Sequence, residues 1–334
     1  MTCGNSSVWN AFLRGLPIPI RYNRVLILSL TINPAIDRNL TADRLAFEDR
    51  AYITSKRESA GGRGINASCV IHAFGGKTAA VVISGGKAGA QFEAMLKCCG
   101  FPVIVVPIEE EIRTNLTISD LQGLTIKLNE IGPRVSPAEV RRLETTIVRR
   151  LKGASWVMMC GSLPPGVPVD FYAKLIGTAR KHGVKTLLDT DGEALREGIR
   201  ANPTVVAPNQ PEAERLLDTA LITNNQVLDA VGRMRVMGAE SVVLSLGARG
   251  AVGASATDLI EVIPPRIDVV CPIGAGDALA AAFVWSMRQN ENFEQAVRWG
   301  VAAGTASARL PGVAFASRDQ AEEIYRQVEV RRPS

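Results

Sequence analysis

The six cysteines of this 334-residue chain form no CxxC pair and are accompanied by only two histidines, so neither a zinc site nor a disulfide framework is written in the sequence. No dense Lys/Arg block occurs although the formal net charge is +5, and nucleic acid is not an expected partner. No apolar run approaches the roughly 18 residues of a membrane span. The first 24 residues lack the apolar core and small-residue cleavage site of a secretory signal. No membrane partner is expected, and the chain reads as cytoplasmic, in a reducing compartment. Internal repeats and low-complexity linkers are also missing, which sets aside solenoids and arrays. With 46% hydrophobic and 21% charged residues, the composition is that of a globular domain able to bury a full core.

What is present is an alternation. The apolar run Val25 to Ile32 opens abruptly, as a buried strand does. It predicts a domain over 25–330 preceded by a poorly ordered extension, 1–24. Strand-like runs at Thr78 to Ile83, Val103 to Pro107, Ser155 to Cys160, Thr186 to Asp189, Thr204 to Ala207 and Ser241 to Leu246 alternate with helical patterns. That rhythm predicts an α/β fold with a mostly parallel sheet covered on both faces. Residues 38–59 and 112–130 break it. They are polar, with alternating residues such as Leu116, Ile118, Leu124, Ile126 and Leu128, and a turn at Asp120 to Gly123. We read them as a small inserted β flap that closes over a ligand.

Four motifs carry chemistry. Ile273-Gly274-Ala275-Gly276-Asp277 runs into the Ala-rich helical stretch Ala278 to Met287. Small residues ahead of a helix let backbone N–H groups approach an anion, and the helix dipole reinforces them. The same dipole is expected to lower the pKa of Asp277, leaving a carboxylate able to accept a hydroxyl proton. The alternative is a helix cap. Gly61-Gly62-Arg63-Gly64-Ile65-Asn66 precedes the helical pattern Ala67 to Phe74, and its glycines demand a tight turn or a closely approached ligand. Asn66 is suited to sugar hydroxyls or to capping. Asp189, Asn209 and Glu212 stand at two successive strand ends, where open α/β sheets bind ligands. Together they read as an oxygen-rich corner for Mg²⁺, or as three caps. Ser245 to Gly250 is a tight connection near the same sheet edge, and a hairpin turn alone would explain its glycines. Gly161 to Gly166 makes a stiff loop after another strand.

The order of TINPAID (Thr31 to Asp37), GGRGIN, RTNLT (Arg113 to Thr117), CGSLPPG, LLDTDGEAL, PNQPE, VVLSLGARGA and IGAGD resembles the phosphofructokinase B group of ribokinase-like sugar kinases. Within it, the chain is most similar to the branch that phosphorylates sugar phosphates. The resemblance implies a ribokinase-like three-layer sandwich with a β lid, and ATP-dependent phosphoryl transfer with Mg²⁺ and a monovalent cation such as K⁺. By position it implies Asp277 as the base and the amides of Gly274, Ala275 and Gly276 as the anion hole. Asp37, Gly62, Asn66 and Cys160 would bind the sugar. Arg113 and Arg63 would bind its phosphate, and Arg50 is a weaker candidate. Asn209, Ser245, Gly247, Gly250 and Gly276 would line the nucleotide site, with Asp189 and Glu212 reaching the metal through water.

The chain departs from that pattern at four positions. Arg63 replaces a Lys, Ala207 replaces a Lys before the PN pair, Cys160 replaces a Ser, and Pro272 stands where Thr is frequent. The last two put the monovalent-cation loop in question. The leading reading is a kinase of a ketohexose phosphate: fructose 1-phosphate, fructose 6-phosphate or tagatose 6-phosphate. The alternatives are a kinase of an unphosphorylated sugar or nucleoside, and a non-catalytic sugar-phosphate sensor. The β-rich flap edges suggest a homodimer.

Overall fold

Apolar runs become strands buried on both faces, beginning with β1 (Leu26–Thr31), in which every residue is buried. The structure, a computed structural model, describes residues 26–46 and 49–333; the expected 1–24 extension lies outside them. The further strands are β2 (Ala35–Ala42), β3 (Ile53–Gly61), β4 (Thr78–Ser84), β5 (Val103–Pro107), β6 (Arg113–Asp120), β7 (Thr125–Asn129), β8 (Ala154–Cys160), β9 (Lys185–Asp189), β10 (Val205–Val206), β11 (Ser241–Ser245), β12 (Ala251–Ala254), β13 (Leu259–Ile263) and β14 (Glu329–Arg331). The helices are α1 (Arg63–Ala73), α2 (Gly86–Leu96), α3 (Pro137–Leu151), α4 (Phe171–Lys181), α5 (Gly192–Arg200), α6 (Gln210–Leu217), α7 (Asn224–Met237), α8 (Ala275–Arg288), α9 (Phe293–Ala308) and α10 (Arg318–Tyr325).

Ten strands form one sheet in the order β14-β13-β12-β11-β10-β9-β8-β1-β4-β5. Neighbours from β11 to β5 are parallel, and β11 to β14 are antiparallel. Alternation along the central strands divides the core in two. Leu28, Leu30, Val157 and Met159 face the layer of α2 to α7, while Ile27, Trp156, Met158 and Cys160 face α1, α8, α9 and α10. Two helical layers around one sheet give the expected three-layer sandwich.

The two polar segments form the separate four-stranded sheet β3-β2-β6-β7. In it Asp37 pairs with Asn115, whereas Arg38 pairs with Leu116 and Leu40 with Ile118. Asp37 and Asn115 thus share one face. Leu40, Leu116, Ile118, Ile126 and Leu128 share the other. No helix among the described residues is long and apolar enough to cross a membrane.

Candidate active site

Asp277 stands at the start of α8. The helix begins at Ala275, before the predicted Ala278, because Gly274 takes a left-handed N-cap conformation (φ 83°) that a side chain would strain. Asp277 therefore lies in the first turn and does not cap the helix. Its Oδ2 accepts a 2.7 Å bond from Asn66 Nδ2, across 211 residues of sequence. Asn66 is likewise no cap, since α1 starts at Arg63 with Gly62 as its N-cap.

The electrostatics of Asp277 reverse the expectation from the dipole. Burial and then the neighbouring Asp189 carboxylate push its pKa up to about 7, against the opposing pull of Asn66 and Arg63. Desolvation of a carboxylate outweighs half a helix-end charge. A base whose pKa lies near neutrality is matched to proton abstraction. A second correction concerns the anion hole: the Ala275 amide donates to the Pro272 carbonyl (3.2 Å) and is not free. First-turn amides have no intrahelical acceptor, so Gly276 and Asp277 remain as donors behind Gly274.

The glycine-rich loop is close-packed. A Cβ on Gly61 would lie 2.2 Å from the Asp37 carboxylate, and Gly62 at φ 141° would drive one 2.3 Å from Thr31. The glycines thus seat Asp37 against the loop. Burial raises the pKa of Asp37, while the Asn115 Nδ2 bond to its Oδ1 (2.9 Å) opposes this. Arg113 reaches back from the start of β6, donating to the Glu130 carbonyl (2.9 Å) and the Asn33 carbonyl (3.0 Å). Among the described residues its Nε is buried without a partner, as are Asn33 Oδ1 and Asn115 Oδ1. Arg50 is exposed on the loop before β3.

Arg63 does not join Arg113. Its Nη1 donates to Asp189 Oδ1 and its Nη2 to Glu212 Oε1, both at 2.9 Å. The corner assigned to Mg²⁺ is thus filled by a guanidinium. Glu212 Oε2 also accepts the Asn209 amide (2.9 Å), and Asn209 Oδ1 accepts the Glu212 amide (2.9 Å), which is a capping box. Among the described residues no three His, Cys, Asp or Glu side chains are grouped to hold a metal. A directly ligated resident Mg²⁺ does not fit these residues.

Cys160 is a further correction. It is 2% exposed in the core beneath α8, so its thiol does not line an open sugar site. Burial raises its pKa well above the usual thiol value. Ser245 to Gly250 is a hairpin turn between β11 and β12, with Gly247 and Gly250 at positive φ; Ser245 bridges to Asn209, bringing the turn to the start of α6.

Asn33, Asn115 and Ser162 were not singled out from sequence. Asn33 is 5% exposed and its Nδ2 donates to the Ile131 carbonyl and to Ser162 Oγ, both at 3.0 Å. All three lie inside TINPAID, RTNLT and CGSLPPG, so those motifs were the available signal.

The profile of the pfkB family carbohydrate kinases matches residues 23–320. The chain belongs to that family. This pfkB kinase is 32% identical over 304 residues to the ATP-dependent 6-phosphofructokinase isozyme 2 of Escherichia coli (strain K12), covering 90% of this chain and 98% of that one. It is 28% identical to the tagatose-6-phosphate kinase of Staphylococcus epidermidis, over 91% of this chain and 99% of the relative. The crystal structure of Escherichia coli phosphofructokinase-2 in complex with potassium superposes with a TM-score of 0.85 at 31% identity, covering 91% of this chain and 99% of that chain. The ribokinase-like fold and the class of enzyme, a phosphotransferase acting on a carbohydrate hydroxyl, are thereby established for this pfkB kinase.

Proposed function

We propose that this pfkB kinase transfers the γ-phosphoryl group of ATP to a hydroxyl of a ketohexose phosphate, namely fructose 1-phosphate, fructose 6-phosphate or tagatose 6-phosphate, giving a bisphosphate. The observation that carries this reading is the trio of buried polar atoms at the base of the lid that have no partner among the described residues: Asn33 Oδ1, Arg113 Nε and Asn115 Oδ1. A buried polar atom without a partner costs about 1–3 kcal/mol, so three together beside Asp37 suit a polar guest. An arginine among them suits a guest that already carries phosphate.

The acceptor would lie between the lid and the sheet, its hydroxyls toward Asp37, Asn66 and the Gly62 backbone. The acceptor hydroxyl gives its proton to Asp277, and its oxygen bonds the γ-phosphorus. The bond to the ADP oxygen breaks, and that oxygen keeps the electron pair. The amides of Gly274, Gly276 and Asp277 face the charge on the transferring group. Asn209, Ser245, Gly247 and Gly250 would border the nucleotide. Magnesium would enter as part of the nucleotide substrate, since Asp189 and Glu212 are engaged by Arg63.

A monovalent cation such as potassium, the ion in complex with Escherichia coli phosphofructokinase-2, would occupy the loop ahead of α8. Asp268 is an exposed oxygen donor there, and the Val270 and Cys271 amides fasten the loop to the Ala308 carbonyl. Asp268 and loop carbonyls would hold the ion, which supplies a charge that stiffens the loop. The apolar outer face of the lid, with Ile126 37% and Leu128 52% exposed, suits a second copy of the chain and hence a homodimer. Leu128→Glu should then yield a monomer in sedimentation. A cytoplasmic setting agrees with these substrates.

An ATP-consumption assay over ketohexose phosphates, free hexoses and nucleosides tests the reading. Turnover of a ketohexose phosphate is expected. Turnover confined to a neutral sugar or nucleoside would overturn it, and binding without turnover would make the protein a sensor.

A further inference from the structure

The glycine-rich loop sets Arg63 at the first position of α1, and the mechanism above leaves its charge unused. A guanidinium carries five N–H donors. Asp189 and Glu212 take one from each terminal nitrogen at 2.9 Å, and the others are uncommitted to them. The Arg63 side chain is 33% exposed while its partners are 9% and 2% exposed. The carboxylates thus lie behind the guanidinium, and its spare donors belong to the open side.

Asn66 lies three residues further along α1, hence on the same helix face. It holds Asp277, so one turn of α1 carries both the grip on the base and a cation fixed to the nucleotide-side corner. The phosphoryl group must pass between those two points. Asp189, Glu212 and Asp277 are three carboxylates around that path, which would repel a phosphate if left to themselves. The strand beside Asp189 offers no relief. One residue beyond the Val206–Leu188 pair, Ala207 stands abreast of Asp189 and brings only a methyl group.

We propose that Arg63 is a catalytic residue of the phosphoryl transfer: held by Asp189 and Glu212, it turns its remaining N–H donors onto the oxygens of the moving phosphoryl group. No bond to Arg63 forms or breaks. Its charge meets the negative charge that spreads over those oxygens as the ADP oxygen departs and the acceptor oxygen arrives, an arrangement in which an arginine acts most strongly in the transition state. The acceptor's own phosphate is left to Arg113.

The inference rests on the kinase reading, so wild-type turnover of the acceptor panel is measured first. A wild type active only on a neutral sugar or nucleoside defeats that reading, and the arginine is then tested on the substrate turned over. Steady-state kinetics of Arg63→Ala should give a kcat lowered by about 100–1,000-fold with the acceptor KM within about threefold of wild type. Added guanidinium ion should return part of the lost kcat. Ala207→Lys in the Arg63→Ala background should return about tenfold or more, because it restores a cation beside Asp189. Unchanged kcat with an acceptor KM raised about tenfold would overturn the proposal and give Arg63 to the sugar phosphate. Lost kcat that neither guanidinium nor Ala207→Lys restores would overturn it too, leaving a structural clamp. Should Arg63→Ala fail to fold, Arg63→Lys is read the same way: a lower kcat at constant acceptor KM supports the role, and a change confined to KM refutes it.

Discussion

Replacing Asp277 by Asn removes a charge and keeps the shape. Burial beside Asp189 lifts the folded-state pKa of this carboxyl from 3.8 to about 7. At about 1.4 kcal/mol per pKa unit, keeping it ionised in the fold costs on the order of 4 kcal/mol, an upper bound, once the pH is above both values. The cost begins as pH rises through the unfolded value, grows to about 7 and is constant beyond. Asp277→Asn should therefore raise Tm by a few degrees near pH 8, with the gain shrinking toward pH 4. The contact to Asn66 survives by an amide flip. Loss of a general base should lower kcat by about 100–10,000-fold. Calorimetry at several pH values and a coupled ATP-consumption assay would read both effects on one preparation. A variant that melts below wild type at pH 8, or retains kcat within about tenfold, would refute the reasoning.

Three other outcomes are expected. The wild-type kcat/KM should fall about tenfold per pH unit below a limb near pH 7, set by the raised pKa of Asp277, and stay level above it. Arg113→Ala should raise KM for a sugar phosphate by about 10–100-fold through loss of a charge-assisted bond, with kcat nearly unchanged and a neutral sugar unaffected. Cys160→Ser should cost about 1–3 kcal/mol in denaturant unfolding by burying a hydroxyl, with KM constant, since the thiol lies in the core and not at the substrate.

Features set by local chemistry were legible before the structure. Alternation in Leu116, Ile118, Ile126 and Leu128 marks the lid, consecutive apolar runs mark the central strands, and the small residues of IGAGD mark a helix start. What was missed comes from contacts made at long sequence separation. Arg63 reads as a free phosphate clamp because nothing near it announces Asp189 and Glu212, which lie 126 and 149 residues away. Asp277 reads as an acid strengthened by its helix because the opposing desolvation and the Asp189 charge arise only when α8 packs onto the sheet. Cys160 is assigned to the sugar by the family resemblance, yet alternation along β8 turns it inward with Trp156 and Met158. Asn33 gave no local sign of importance beyond its place in TINPAID. Its buried position emerges when the loop after β1 meets Ile131 and Ser162.

The most direct test of the central claim is a crystal structure of the ternary complex with a ketohexose phosphate and a non-hydrolysable ATP analogue. The account predicts an Asp277 carboxylate oxygen within about 3.2 Å of the acceptor hydroxyl, in line with the γ-phosphorus. An acceptor bound with that hydroxyl turned away from Asp277, with another group at hydrogen-bond distance in its stead, would contradict it.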